Sequence, residues 1–150
     1  MRALHVLGRA IFGGYFVYNG IHHLQQTKAL GQYAAAKGVS SPEQAVQATG
    51  VMMLAGGLSV IAGLKPKQGL AAILAFLIPV SLKMHPYWEE QGERRQIEQI
   101  QFMKNMALAG AALAMMGVSE PWPASVDGLR SGDEEMFVRL GGRDLRALPA

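Results

Sequence analysis

The chain has 150 residues, 50% of them hydrophobic, 17% charged and 7% aromatic, with 18 glycines, no cysteine and a formal net charge of +3. That length makes one domain, and the shortage of charge goes with long uncharged apolar runs of the kind that cross membranes. Without cysteine, thiolate nucleophiles, disulfide exchange and cysteine-ligated clusters are excluded within the chain, and with no basic run, nucleic acid is not an expected partner.

The first apolar run, about 4–24, is long enough for a span of roughly 30 Å at about 1.5 Å per residue. His5, Arg9, Phe12, Phe16, Asn19 and His23 fall on one stripe. A charged stripe facing lipid is costly, so this face is expected to point into a bundle. Gly8, Gly13, Gly14 and Gly20 allow close backbone approach. The run starts like a signal peptide, but Arg9 interrupts it and its apolar stretch is too long, so it reads as an uncleaved anchor. Residues 27–37 are too short and polar to span. Thr27 fits an N-cap and Gly38 a position just past a helix end, and with Tyr33 and three alanines this predicts a short helix that lies at the membrane surface or folds over the bundle mouth.

Ser41-Pro42-Glu43-Gln44 has the pattern of a capping box with proline at the first helical position. The apolar part of the helix it opens, about 45–64, has small residues at Ala55, Ser59 and Gly63 and no ionisable group, as befits scaffold. After the turn at Lys65-Pro66-Lys67 a third span runs from about 68 to 84, and Pro79 predicts a kink unless neighbours satisfy the carbonyl it frees. It closes on Lys83 and His85, with Tyr87 and Trp88 at the level of an interfacial aromatic belt. A charged loop leads into a helix from about Glu93, whose apolar part, about 102–118, is a fourth span. Glu120-Pro121-Trp122-Pro123 ends it, with Trp122 expected to anchor at the interface. The tail 119–150 holds four arginines against six acids and is too polar to span. Within it, 136–140 could dock on the bundle or form a short strand or helix.

The expected architecture is therefore all-α: a four-transmembrane-helix bundle over 1–118, a short interfacial helix between the first two spans, and a polar C-terminal tail. The distribution of lysine and arginine places both termini in the cytoplasm of a multi-pass cell-membrane protein of bacterial inner-membrane type.

Alternating spans bring the end of the first, the end of the third and the start of the fourth to one membrane surface. Asn19, His22, His23, Lys83, His85, Glu98, Gln101, Lys104 and Asn105 can meet at that mouth. Intramembrane polar groups are expensive unless paired, so a ligand or proton role competes with plain helix-end hydrogen bonding and snorkelling. His22 and His23 point about 100° apart and do not share a metal easily. A metal site of His23, His85 and Glu98 is conceivable on composition, but neither metal nor haem is the expected cofactor. Arg9, a charge inside a span, suits a helix C-terminus, a lipid or a quinone headgroup. The nine methionines are dispersed and read as packing. No nucleophile elbow, phosphate loop, metalloprotease pair or dinucleotide fingerprint occurs.

Leu7-Gly8-Arg9, Gly13-x-x-Phe16-x-x-Asn19-Gly20, Ala36-Lys37-Gly38-Val39, Ala55-Gly56-Gly57-Leu58, Ala62-Gly63-Leu64, His85-Pro86-Tyr87-Trp88 and Gln101-Phe102-Met103-Lys104-Asn105-Met106-Ala107-Leu108 together resemble the DoxX family of membrane proteins, over about 4–118. The resemblance implies a four-helix integral membrane protein. Some members are linked to quinone-dependent thiosulfate oxidation, and others are accessory subunits of redox or metal-related membrane systems. It carries Arg9, His85, Gln101, Lys104 and Asn105 over as functional positions. Many members have an acidic residue just before the paired glycines; here the region reads Met52-Met53-Leu54.

The expected function is a subunit of a membrane redox system that binds a quinone-like or lipid-like molecule. Arg9 and Lys104 would meet its oxygens, Asn105 and Gln101 would orient it, and Tyr87 and Trp88 would cover the entrance. Asn19, His23, Lys83, His85 and Glu98 complete the candidate set. The expected partners are the bilayer, membrane redox subunits and further copies of the chain. The rival readings are a non-catalytic assembly subunit and a small-solute transporter that works as an oligomer.

Overall fold

A computed structural model describes residues 2–132. These form α1 (Arg2–Gln25), α2 (Thr27–Ala36), α3 (Pro42–Ala62), α4 (Pro66–Met84), a 3-10 turn (Tyr87–Glu89) and α5 (Gly92–Met116), with no strand among the described residues. Residues 136–140 lie outside the described part. Of the long helices, α3 and the stretch from Pro66 through Glu89 are apolar enough to cross a membrane by length and composition, with mean hydropathies of 1.6 and 1.5. His5, Arg9, Asn19, His22 and His23 lower this signal in α1, and the charged first half of α5 lowers it there.

Glycines set the packing order. A Cβ on Gly57 would lie 2.6 Å from the Gly13 carbonyl oxygen, and one on Gly20 would lie 2.7 Å from the Leu54 nitrogen. The backbones of α1 and α3 thus touch at two levels, as small residues permit. Gly56 faces the Gly69 carbonyl at 2.9 Å in the same way, joining α3 to α4. α5 packs on α4, and α2 lies across α3. Phe12, Phe16, Met53, Val60, Leu70, Ile73, Leu77, Ala109 and Ala112 fill the interior, together with Trp122.

Several local expectations are corrected. Ser41 is left-handed (φ 50°) and makes no side-chain cap bond, so the capping box does not form, although Pro42 does begin α3. Thr27 opens α2 without capping it. Its hydroxyl instead contacts the His23 and Leu24 carbonyls at 3.1 and 3.0 Å, carbonyls that the end of α1 leaves without helical partners. α4 stays helical through Pro79. Because Pro79 has no N–H, the Ala75 carbonyl loses its helical donor, and both residues line the same pocket. Trp122 is not an interfacial anchor. The chain turns back after α5, and the indole is 1% exposed, edge-on to His5 at 5.0 Å. The Lys65 N–H donates to Asp127 at 2.7 Å and buried Ser125 sits against Gly63, so residues 122–127 lie on the end of the bundle.

Candidate functional site: a polar cluster beside an apolar pocket

At the opposite end, α2, the 3-10 turn and the start of α5 meet. α5 directs Glu98, Asn105, Ala109 and Ala112 inward at spacings of seven, four and three, one helical stripe. Glu98 is therefore the first inward residue of that stripe, and it is buried although its neighbours are exposed. One carboxylate oxygen accepts from His85 Nδ1 at 2.6 Å. The other accepts from the Tyr33 hydroxyl at 3.3 Å and lies 3.5 Å from Lys37 Nζ. Lys37 also pairs with Glu90 at 3.1 Å.

These contacts explain the local titration behaviour. Burial pushes the Glu98 carboxyl upward, but the His85 hydrogen bond, the charge of that imidazole and Lys37 outweigh it and hold the group below its ordinary value. Burial and the negative charge of Glu98 push the Tyr33 phenol up. Burial opposes the Lys37 charge, yet the Glu90 hydrogen bond and the nearby Glu98 carry its ammonium above the usual lysine value.

Beside the cluster lies a pocket of about 410 Å³ between α2, α3 and α4. Leu30, Val46, Phe76 and Val80 give it apolar walls, and His23, Tyr33, Thr49, Lys83 and His85 give it polar points. The two histidines are prepared alike. Thr49 directs its hydroxyl hydrogen to the Ala45 and Val46 carbonyls, 2.9 and 3.0 Å away, so its oxygen accepts from His23 Nδ1 at 3.3 Å. An ionised Glu98 requires a proton on His85 Nδ1 in the same way. Each ring then keeps Nε2 free, as an acceptor when the imidazole is neutral and a donor when it is protonated.

The ten candidate residues do not form one group. His23, Lys83 and His85 line the pocket, and Glu98 holds His85 from behind. Gln101 and Lys104 bond each other at 2.5 Å on the outer side of α5, and neither lines the pocket. Asn105 is buried lower on the inward stripe of α5. Trp88 packs edge-on to Tyr87 and Phe102 at 5.2 and 5.7 Å and is half exposed. The Asn19 amide is turned back to the Tyr15 carbonyl at 2.7 Å. Arg9 stands at the far end of the bundle, bonded to the Ala124 carbonyl. Among the described residues, no three histidine or acidic side chains are grouped to hold a metal ion, and His23 is engaged with Thr49 rather than with Glu98. Tyr33, Lys37 and Thr49 belong to the site although the sequence did not single them out. The available signal was Tyr33 and Lys37 one turn apart on one face of α2.

The family model described as DoxX matches residues 4–86, from the start of α1 to the end of α4. No curated protein and no solved structure gives a match.

Proposed function

Because the chain belongs to the DoxX family of membrane proteins, we propose that α1, α3, α4 and α5 each cross the bilayer, and that the α2–α3–α4 pocket holds a quinone, taken up in its reduced, dihydroxy form. The protein then serves as a quinone-binding subunit of a membrane redox system, with both termini in the cytoplasm. The outward faces of all four helices favour this topology. Leu7 and Tyr18 on α1, Leu58 on α3, Ile78 on α4 and Leu113 on α5 are each about half exposed or more, a surface that lipid covers without cost.

The observation that carries the ligand class is the matched pair of histidines. Both histidines line the apolar pocket, and two imidazoles suit the two hydroxyls of a hydroquinone, while the Ala75 carbonyl freed by Pro79 offers another acceptor. Lys83 at the edge favours the oxygen that loses its proton. Glu98 holds the His85 ring by Nδ1 and so fixes its position at the pocket wall.

A titration with a short-tailed quinol in detergent tests this reading. Wild type is expected to bind saturably, and His85→Ala about tenfold more weakly, the loss of one hydrogen bond to a group that carries charge. Saturable binding of equal strength in both proteins contradicts it, and so does no binding at all.

A further inference from the structure

α1 and α5 leave between them a groove of about 560 Å³, lined by His5, Arg9, Ile11, Tyr15, Leu108 and Met115 among others. Its walls are apolar except at one end. There Arg9 is 4% exposed, with one nitrogen on the Ala124 carbonyl and its Nε and Nη1 without partners among the described residues. His5 Nε2 and Trp122 Nε1 are also buried without partners among the described residues, and the two rings meet edge-on. Four unused nitrogens thus lie on three side chains at one level of the bundle. Among the described residues, no carboxylate is within ion-pair distance of Arg9. A buried guanidinium without a counter-charge is expensive, so this arrangement asks for an anion with several acceptor oxygens.

We propose that the groove is a binding site for one anionic phospholipid, its phosphate on Arg9 and His5 and an acyl chain along α1 and α5. Three observations select a lipid over a soluble anion. The groove continues into the exposed apolar stripe of α1 at Leu4 and Ile11, where chains of the same leaflet lie. Arg9 is about 10 Å along α1 at about 1.5 Å per residue, within reach of the headgroup level for a long basic side chain. The Ala124 contact draws the guanidinium towards the end of the bundle that carries residues 122–127, which is that headgroup level. Gly63 lets the guanidinium seat at this level: a Cβ there would lie 2.8 Å from Arg9 Nη1. The site rests on the bundle crossing the bilayer, but not on the quinone pocket at the other end.

The test is thermal unfolding of the detergent-purified full chain with added dioleoyl-phosphatidylglycerol, dioleoyl-phosphatidylcholine or inorganic phosphate. Wild type should be stabilised saturably by phosphatidylglycerol alone. Arg9→Gln should need about tenfold more of it, the loss of a charge-assisted contact. Ala111→Phe, which fills the groove from the exposed side of α5 and leaves Arg9 in place, should lose the response while unfolding at the wild-type temperature without lipid. Equal stabilisation by the two lipids, stabilisation by inorganic phosphate matching that by phosphatidylglycerol, or a full response in Ala111→Phe overturns the proposal. Quinol binding in Ala111→Phe should equal wild type, which separates failure here from failure of the quinone reading.

Discussion

Gly57→Leu should unfold the protein at a far lower temperature than wild type, with a loss of about 3 kcal/mol or more. The cause is contact between backbones. The first carbon of any side chain at 57 would lie 2.6 Å from the Gly13 carbonyl oxygen, 2.9 Å from a Val17 methyl and 3.0 Å from the Val17 nitrogen. No rotamer relieves a collision at Cβ, so α1 must move away from α3 along most of their shared length. Core residues Phe12, Phe16, Met53 and Val60 lie along this seam and would lose packing together. Gly14 supplies the control, because it is a glycine of the facing helix α1 with nothing within 4 Å of its Cβ position among the described residues. Gly14→Ala should be neutral or stabilising by up to about 1 kcal/mol, since alanine holds a helix better. Thermal unfolding of the two variants in one detergent measures both effects. A Gly57→Leu protein as stable as Gly14→Ala would show that α1 and α3 do not cross at this point.

Glu98→Gln should cost about 2 kcal/mol and weaken quinol binding as well, although Glu98 does not line the pocket. The carboxylate joins His85, Tyr33 and Lys37, so the amide removes the acceptor of the His85 and Tyr33 hydrogen bonds and leaves Lys37 with Glu90 as its one remaining acidic neighbour among the described residues. The pH dependence identifies the mechanism. The folded-state value of Glu98 lies below its ordinary value, so its stabilisation is complete above the ordinary carboxylate value of about 4.3 and is lost as pH falls through the lower folded value. Wild type should therefore lose stability in acid below about pH 4, and Glu98→Gln should be flatter there. Lys37 and Tyr33, both raised, act at the other extreme: their contribution is complete below about pH 10 and is lost as pH rises through their folded values. Denaturation midpoints across pH check this. Parallel curves for wild type and Glu98→Gln in acid would mean that the cluster does not couple charge to folding.

Much of this architecture is legible in the sequence because apolar runs of about 20 residues admit few alternatives. The short helix after α1 and the charged loop before α5 follow from composition in the same way. Glu98 and His85 could be singled out because each is a polar group at the edge of an apolar run. What stayed hidden depends on how the helices meet. Composition allows α2 to lie at the membrane surface or to fold over the bundle mouth, and nothing in Tyr33 or Lys37 says that they meet Glu98. Lys104 looked available until Gln101, one turn earlier, proved to be its partner. Trp122 between two prolines has the pattern of an interfacial anchor, and only the return of the chain onto the end of the bundle buries it. Arg9 was grouped with the far mouth by chemistry, whereas its place near the start of α1 puts it at the other end. The Ser41 cap fails for a local reason: Ser41 is left-handed, which overrides the preference its sequence pattern expresses, whereas Gly38 takes the positive φ expected just past α2.

The reading of the pocket depends on two histidines lining one apolar space. The most direct measurement is the quinone carried by protein purified from its own membranes in mild detergent, extracted and quantified for wild type, His85→Ala and Ala75→Phe in parallel. Ala75 lines the pocket from an exposed position, so phenylalanine fills the space without disturbing the core. The account predicts quinone approaching one per chain in wild type and little in either variant, with both variants folded. Wild type that carries none, or variants that keep as much as wild type, would contradict it.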